Sequence, residues 1–531
     1  MTTRRTSALI GLAVALLAGA CNGMIDTPYR PGPERPSTRL DCTDAPEPGA
    51  PVPMRRLTRF QLETTVRDVF GMDVVYLLAD EHLLGYRSNV SSGLDMNGAR
   101  TVQTVAEQIS TRVAPAVAGE AGCLGDCAQH VIDRFGVRLF RRPLDADTRA
   151  RFAALYAQGY AEGGTQEGVR WIIEALLQSP RFLYLTEATS ASGRLEGYSI
   201  ASRLSYALWA GPPDEELLAA AASGELDTDE GILASAERMI DDPRFERGLD
   251  QFVTQWLQLD ELEDALVRPD IAELEAPVRE ALRREPVLFV TRNVREGGSL
   301  EELLTSATTT DLPALQPLYG DDIVFVDVES GRVELDPAHR AGLLTMPAVL
   351  AALSHVRQTS PTRRGRAVLA SLLCDPPPPP PPGVVPSLPP AEEGVSTRER
   401  LETHFSNDGC ASCHRAMDGI GFTFEHFDYL GQWREAEGVH PIDATASFAI
   451  GYDEIRVDGA TELAAVLAER REVADCVARH WTRYAAGVVE SPELACTIQS
   501  LADDVEAGGL RSMILSFVTS SWFVKPSEGE M

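Results

Sequence analysis

A run of seven consecutive prolines, Pro376–Pro382, extended by Pro386, Pro389 and Pro390, constrains this chain more than any other feature. Proline fixes φ and lacks an N–H, so neither a helix nor a central strand can pass through the run, which forms a stiff polyproline spacer. Whatever folds before the run is joined to whatever folds after it by an extended connector. A second break lies near the start. Residues 21–54 are rich in proline, with Pro-Gly-Pro at 31–33 and a cluster from Pro46 to Pro53, and lack apolar periodicity. That composition predicts a tether holding a folded body off a membrane.

Between the breaks the apolar period is helical. Ile200, Leu204 and Leu208 recur at one-turn spacing, Val477, Trp481, Tyr484 and Val488 line a second stripe, and Leu510, Ile514, Phe517 and Val518 a third. Strand alternation is scarce, with Ile323–Val326 the main candidate and a partner near Val333. The expected fold class is therefore mainly α. The length of 531 residues, with 44% hydrophobic and 24% charged side chains, suits three or four globular domains.

Charge and lysine usage exclude several functions. Lys and Arg total 48 against 79 Asp and Glu, a formal charge of −31, so a phosphate-backbone partner is not expected and nucleic acid is set aside. The single lysine is Lys525, near the C-terminus. Phosphate-loop, Schiff-base and kinase-type chemistries each need a lysine within folded sequence, and none is present there. Gly-x-Ser-x-Gly, His-Glu-x-x-His and Gly-x-Gly-x-x-Gly signatures are also missing.

Arg4-Arg5, the apolar run Ala8–Ala18 and Gly19-Ala20-Cys21 have the layout of a secretory signal over residues 1–20. Cys21 after small residues is the candidate lipidation site, which would leave an exported protein in the periplasm or at the outer membrane, anchored by its N-terminal lipid. Ordinary cleavage after Ala20 is the alternative. Outside the cytoplasm disulfides persist. Setting aside Cys21, Cys410 and Cys413, six of the nine cysteines remain. Cys123 and Cys127 lie one helical turn apart and Cys476 and Cys496 flank a turn between helices, so these are the expected pairs; Cys42 with Cys374 follows by elimination.

Cys410-Ala411-Ser412-Cys413-His414 has the spacing of covalent haem attachment. Two thiols three residues apart straddle one porphyrin edge, and the adjacent histidine presents a ring nitrogen to iron. One covalent haem c is the cofactor this motif implies. A Cys410–Cys413 disulfide or part of a zinc site are the alternatives, the latter weakened by the lack of a second nearby Cys-x-x-Cys. Met417 lies too close to His414 in sequence to reach the opposite face. A distal ligand comes from elsewhere, with His404 and His355 first among His426, His440, His480, Met346 and Met513.

The order of motifs resembles the planctomycete-type cytochrome-c-like exported proteins, assembled from modules first labelled as domains of unknown function. The matching segments run from Arg56-Leu57-Thr58-Arg59-Phe60 through Leu139-Phe140-Arg141-Arg142-Pro143-Leu144 to Ala201–Trp209 with Pro213–Leu218. They continue through Thr359–Gly365, the haem motif with Met417–Phe422, Glu425–Asp428 and Gly431–Arg434, and end with Tyr484–Gly487 and Ser520–Phe523. Relatives carry Asp-Pro where this chain has Asp418-Gly419, a departure expected to remove a rigid turn beside the motif. The resemblance implies helical modules at 55–118, 119–194 and 195–335, a cytochrome-c-like module at 336–440 that includes the proline spacer, and a C-terminal helical module at 441–531.

Three functions follow as expectations. The first is single-haem electron transfer, with a redox partner protein in the cell envelope, because one haem cannot form a wire alone. The second is a haem-dependent oxidoreductase, peroxidase-like or oxidase-like, acting on a small substrate, motivated by a body far larger than a bare carrier needs. The third is a non-catalytic surface binding or scaffold lipoprotein. Arg141, Arg142, Arg363 and Arg364 are candidate partners for haem propionates, since a guanidinium fork suits a carboxylate.

Overall fold

The computed structural model describes residues 40, 42, 55–90, 93–262, 268–378, 394–402 and 408–525, with the backbone alone at 408–410, 412 and 493. The chain is mainly helical. The helices used below are α1 (Arg59–Phe70), α2 (Met96–Ala118), α3 (Ala146–Leu177), α4 (Gly197–Leu208), α5 (Asp229–Asp241), α6 (Arg244–Trp256), α7 (Ala276–Glu296), α8 (Pro361–Ser371), α9 (Asp408–Phe422), α10 (Arg471–Ala486) and α11 (Ala495–Thr519). Their starts are written in the sequence. Thr58 and Gln61 form a reciprocal capping box at α1, and Asp95 and Asp145 accept backbone N–H bonds at the starts of α2 and α3. No helix among the described residues is long and apolar enough to cross a membrane.

Among the described residues the buried apolar side chains gather into two clusters, which between them span the five modules expected from the sequence. The first runs from Leu57 to Leu185 with Tyr206 added, and is built by α1, α2 and α3. The second runs from Leu195 to Val524 with Tyr86 added, and joins α4 to α11. Aromatic rings bind this larger core across module boundaries: Phe252 of α6 stacks on Trp256 at 5.4 Å and meets the edge of Trp481 of α10 at 5.2 Å, and Trp481 meets Phe517 of α11 at 6.5 Å. Trp256 Nε1 also donates to Ser371 O at the end of α8, 2.7 Å away. A module whose apolar face is covered by its neighbours needs no complete core of its own.

Strands are few. Thr308–Thr310 (β1), Ile323–Asp327 (β2) and Arg332–Leu335 (β3) form a sheet in the order β1-β3-β2, and Val326 pairs with Val333 as the alternation predicts. A hairpin of Thr445–Ile450 (β4) and Asp453–Asp458 (β5) opens the C-terminal unit ahead of its helices. The reason is visible in period two. Ala446, Phe448 and Ile450 are buried while Thr445, Ser447 and Ala449 face water.

Three disulfides join Cys42 to Cys496, Cys123 to Cys127 and Cys374 to Cys476. The expected pairs Cys476–Cys496 and Cys42–Cys374 are therefore corrected. Cys476 lies ten residues before the end of α10, about 15 Å along the helix axis, and points into the core, so it cannot meet a cysteine just past the following turn. Cys496 sits at the start of α11 and takes the N-terminal segment instead. The expected tether of 21–54 is thus tied to the folded body at Cys42, with Leu40 also bonded through backbone N–H and C=O to Gln499.

Candidate functional site

The helix carrying the haem motif, α9, is held between α8 and the hairpin. Its contact with α8 is backbone to backbone. A Cβ on Gly365 would lie 1.7 Å from Met417 O, and one on Gly421 would lie 1.9 Å from Pro361 O, so only glycine permits this approach. On the other side Gly419 faces Ser447 and Phe448 of β4. Asp418 and Gly419 both lie inside α9 rather than in a turn, so the departure from Asp-Pro leaves the helix continuous.

On α9, His414 and Asp418 are four residues apart and share one face. His414 is half-buried, and its Nδ1–H donates to Asp418 Oδ2 at 2.9 Å. Asp418 is fully buried, and Thr362 Oγ1 of α8 donates to its Oδ1 at 2.6 Å. The bond to Asp418 raises the imidazole pKa above its ordinary value, with burial opposing. With Nδ1 committed, Nε2 is the nitrogen through which His414 could ligate a metal.

Cys413 is half-buried at the edge of the larger core, and Cys410 lies on the same helix with its side chain outside the described residues. Two cysteines and a carboxylate-anchored histidine on one helix fit the chemistry of a covalent haem. Three of the candidate distal ligands, His355, His426 and His480, have partners of their own. His404 lies outside the described residues, as does the candidate lipid site Cys21. His355 pairs its backbone with Gln358 in the turn before α8, and burial first, then Arg363, lowers its pKa. His480 has both ring nitrogens engaged, with Tyr86 Oη at 2.8 Å and Ala370 O at 3.2 Å. It also lies against the Cys374–Cys476 disulfide, a neighbourhood that nothing in its local sequence signals. His426 bonds the Arg434 carbonyl at 2.9 Å and stacks on Trp433, which stacks in turn on His339.

The motif arginines are engaged with groups of the protein itself. Arg364, buried, donates to Phe424 O, Phe427 O, Asp428 O and Ser354 Oγ, and pairs with the buried Glu425 at 3.7 Å. Glu425 also accepts from Thr359 and Arg434. Burial, opposed by Glu425, lowers Arg364 to about 10, and burial raises Glu425 against its two arginines. Arg363 donates to Ser354 O and Glu261. Arg141 donates to the carbonyls of Leu139, Phe182, Arg181 and Tyr184, and Arg142 to Glu196 and Ser199. The segments 359–365 and 425–434, distant in sequence, thus meet in one buried polar lock directly behind α9. Sequence reasoning missed Asp418 and Thr362 as site residues. The i, i+4 spacing on a helix could have signalled Asp418, whereas Thr362 is 56 residues away.

The Cys-x-x-Cys-His helix is thus set in a mainly helical body. Five family descriptions, each of a protein of unknown function, match in series: DUF1587 over 55–115, DUF1595 over 127–187, DUF1592 over 195–320, DUF1588 over 340–437 and DUF1585 over 453–523. The chain belongs to the planctomycete-type cytochrome-c-like multi-module family that these five modules make up. No curated protein and no solved structure matches it.

Proposed function

We propose that the protein is an exported monohaem c-type cytochrome acting in electron transfer, with haem attached through Cys410 and Cys413 and His414 as the proximal ligand. A lipid on Cys21 would hold it at an envelope membrane, and a redox partner protein would exchange electrons with it by docking. The observation that carries this reading is the pairing of His414 Nδ1 with the buried Asp418. A histidine ligand to a metal commonly gives its other ring N–H to a carboxylate, which fixes the tautomer and the ring plane. When bound, the haem supplies one-electron exchange between ferrous and ferric iron.

The test is an absorption spectrum of the protein expressed with a haem-c maturation system, oxidised and reduced, with carbon monoxide added to the reduced form. A covalently retained haem whose spectrum carbon monoxide leaves unchanged is the expected result and means two protein ligands. A carbon monoxide shift means an open iron face and replaces electron transfer by an oxidoreductase acting on a small substrate. No covalent haem leaves a disulfide-bonded binding protein.

A further inference from the structure

Five acidic side chains among the described residues are buried: Asp270, Glu285, Asp322, Asp418 and Glu425. A buried carboxylate is costly unless its charge is met by donors or an opposite charge. Asp270 pairs with Arg268, Asp322 with Arg340, and Glu425 with Arg364 and Arg434, while Glu285 takes hydroxyl donors from Thr309 and Tyr319. Asp322 also meets His339 beside its arginine, but the ion-pair partner the structure gives Asp418 is a histidine of the haem motif, with no arginine paired to it among the described residues.

We propose that Asp418 is a positioning residue that fixes the ring of His414 and lends it negative charge, lowering the potential of a haem bound there, while Thr362 limits how much of that charge reaches the ring. The inference rests on the haem reading above and adds to it what sets the potential. The two carboxylate oxygens have separate tasks. Oδ2 faces the imidazole at 2.9 Å, and Oδ1 accepts from Thr362 at 2.6 Å. A hydrogen-bond donor on Oδ1 draws electron density away from Oδ2, so Thr362 and Asp418 act in opposite senses on His414. The close approach of α8 and α9 at Gly365 and Gly421 holds the hydroxyl in place.

The opposed senses separate this role from a merely structural one. Wild type, Asp418→Asn and Thr362→Val are expressed with a haem-c maturation system and titrated by spectroelectrochemistry. Asparagine still accepts the Nδ1–H but carries no charge. The midpoint potential is expected to rise in Asp418→Asn by about tenfold in the ferrous-to-ferric ratio, about 59 mV for a one-electron couple. It is expected to fall in Thr362→Val by a smaller amount. Haem retained with an unmoved potential in Asp418→Asn, or both variants shifting in the same direction, overturns the inference while leaving the haem reading intact. Should Asp418→Asn fail to fold, Thr362→Val decides alone, a fall supporting the inference and a rise or no change overturning it. A wild-type protein without covalent haem overturns the haem reading itself, and this inference with it.

Discussion

The two cores each contain a buried motif arginine, and they use it differently. In the first, Arg141 sits at positive φ of 60° and gives its donors to four main-chain carbonyls, with the ring of Tyr206 5.6 Å from its guanidinium carbon. In the second, Arg364 binds three carbonyls and a hydroxyl and also faces Glu425. The first arrangement closes a local loop, since its acceptors lie within 43 residues, whereas the acceptors of Arg364 reach across 64. The disulfides follow the same division. The bridge in the first core closes four residues, and those of the second close 102 and 454. Local ties order a small unit, and long-range ties weld three modules into one body around the haem-motif helix.

The largest test of this contrast is Arg364→Leu, which removes the fully buried one of the two guanidinium groups that compensate the buried Glu425. It should cost about 3–5 kcal/mol, and Arg364→Leu combined with Glu425→Leu should recover much of that, measured by denaturant unfolding. Next, replacing Cys374 and Cys476 by serine should cost about 2–4 kcal/mol, whereas the same change at Cys123 and Cys127 should cost far less, because the shorter loop restrains the unfolded chain less. Thermal melts of the two variants side by side check this. Arg141→Leu should cost about 2 kcal/mol, since it leaves carbonyls but no charge uncompensated. Hydrogen exchange should place that loss in α1 to α3 and spare α9.

A further test is the pH profile, and it sharpens the comparison because the buried acids and the buried histidine all lie in the second half of the chain. Burial, aided by Arg483, pushes His480 down from 6.5 to about 3. As pH falls below 6.5 the unfolded chain binds a proton that native His480 refuses, so stability is lost on acidification. Glu285 is the reverse. Burial, against its bonds from Tyr319 and Thr309, pushes it up from 4.5 to about 7. As pH rises from 4.5 the unfolded chain releases a proton that native Glu285 keeps, so stability is lost on alkalinisation. Between pH 4.5 and 6.5 the two slopes oppose each other. His480→Gln should gain stability on acidification across that window and Glu285→Gln should lose it, each with a slope of about 1.4 kcal/mol per pH unit. Parallel curves for the two variants would show that other groups control the profile.

Much of the fold is legible residue by residue. Ile200, Leu204 and Leu208 are buried on one face of α4, and Leu510, Ile514, Phe517 and Val518 on one face of α11, because a helical stripe must be covered whatever covers it. The pairing of Val326 with Val333 follows from alternation. The β4–β5 hairpin was equally written in period two, and was hidden by the helical stripes that surround it. The Cys-x-x-Cys-His motif is legible because its chemistry is local, and so in principle is Asp418, one turn on from His414.

What the sequence by itself determined is therefore whatever depends on neighbours along the chain: caps, apolar stripes, and the helix that displays His414. Tertiary structure alone decided the two long-range disulfides, which carbonyls the motif arginines bind, and that Thr362 stands behind Asp418. Those choices depend on where helices tens or hundreds of residues apart come to rest against one another. The close contact of α8 with α9 through Gly365 and Gly421 is set by packing in three dimensions, and no local pattern encodes it.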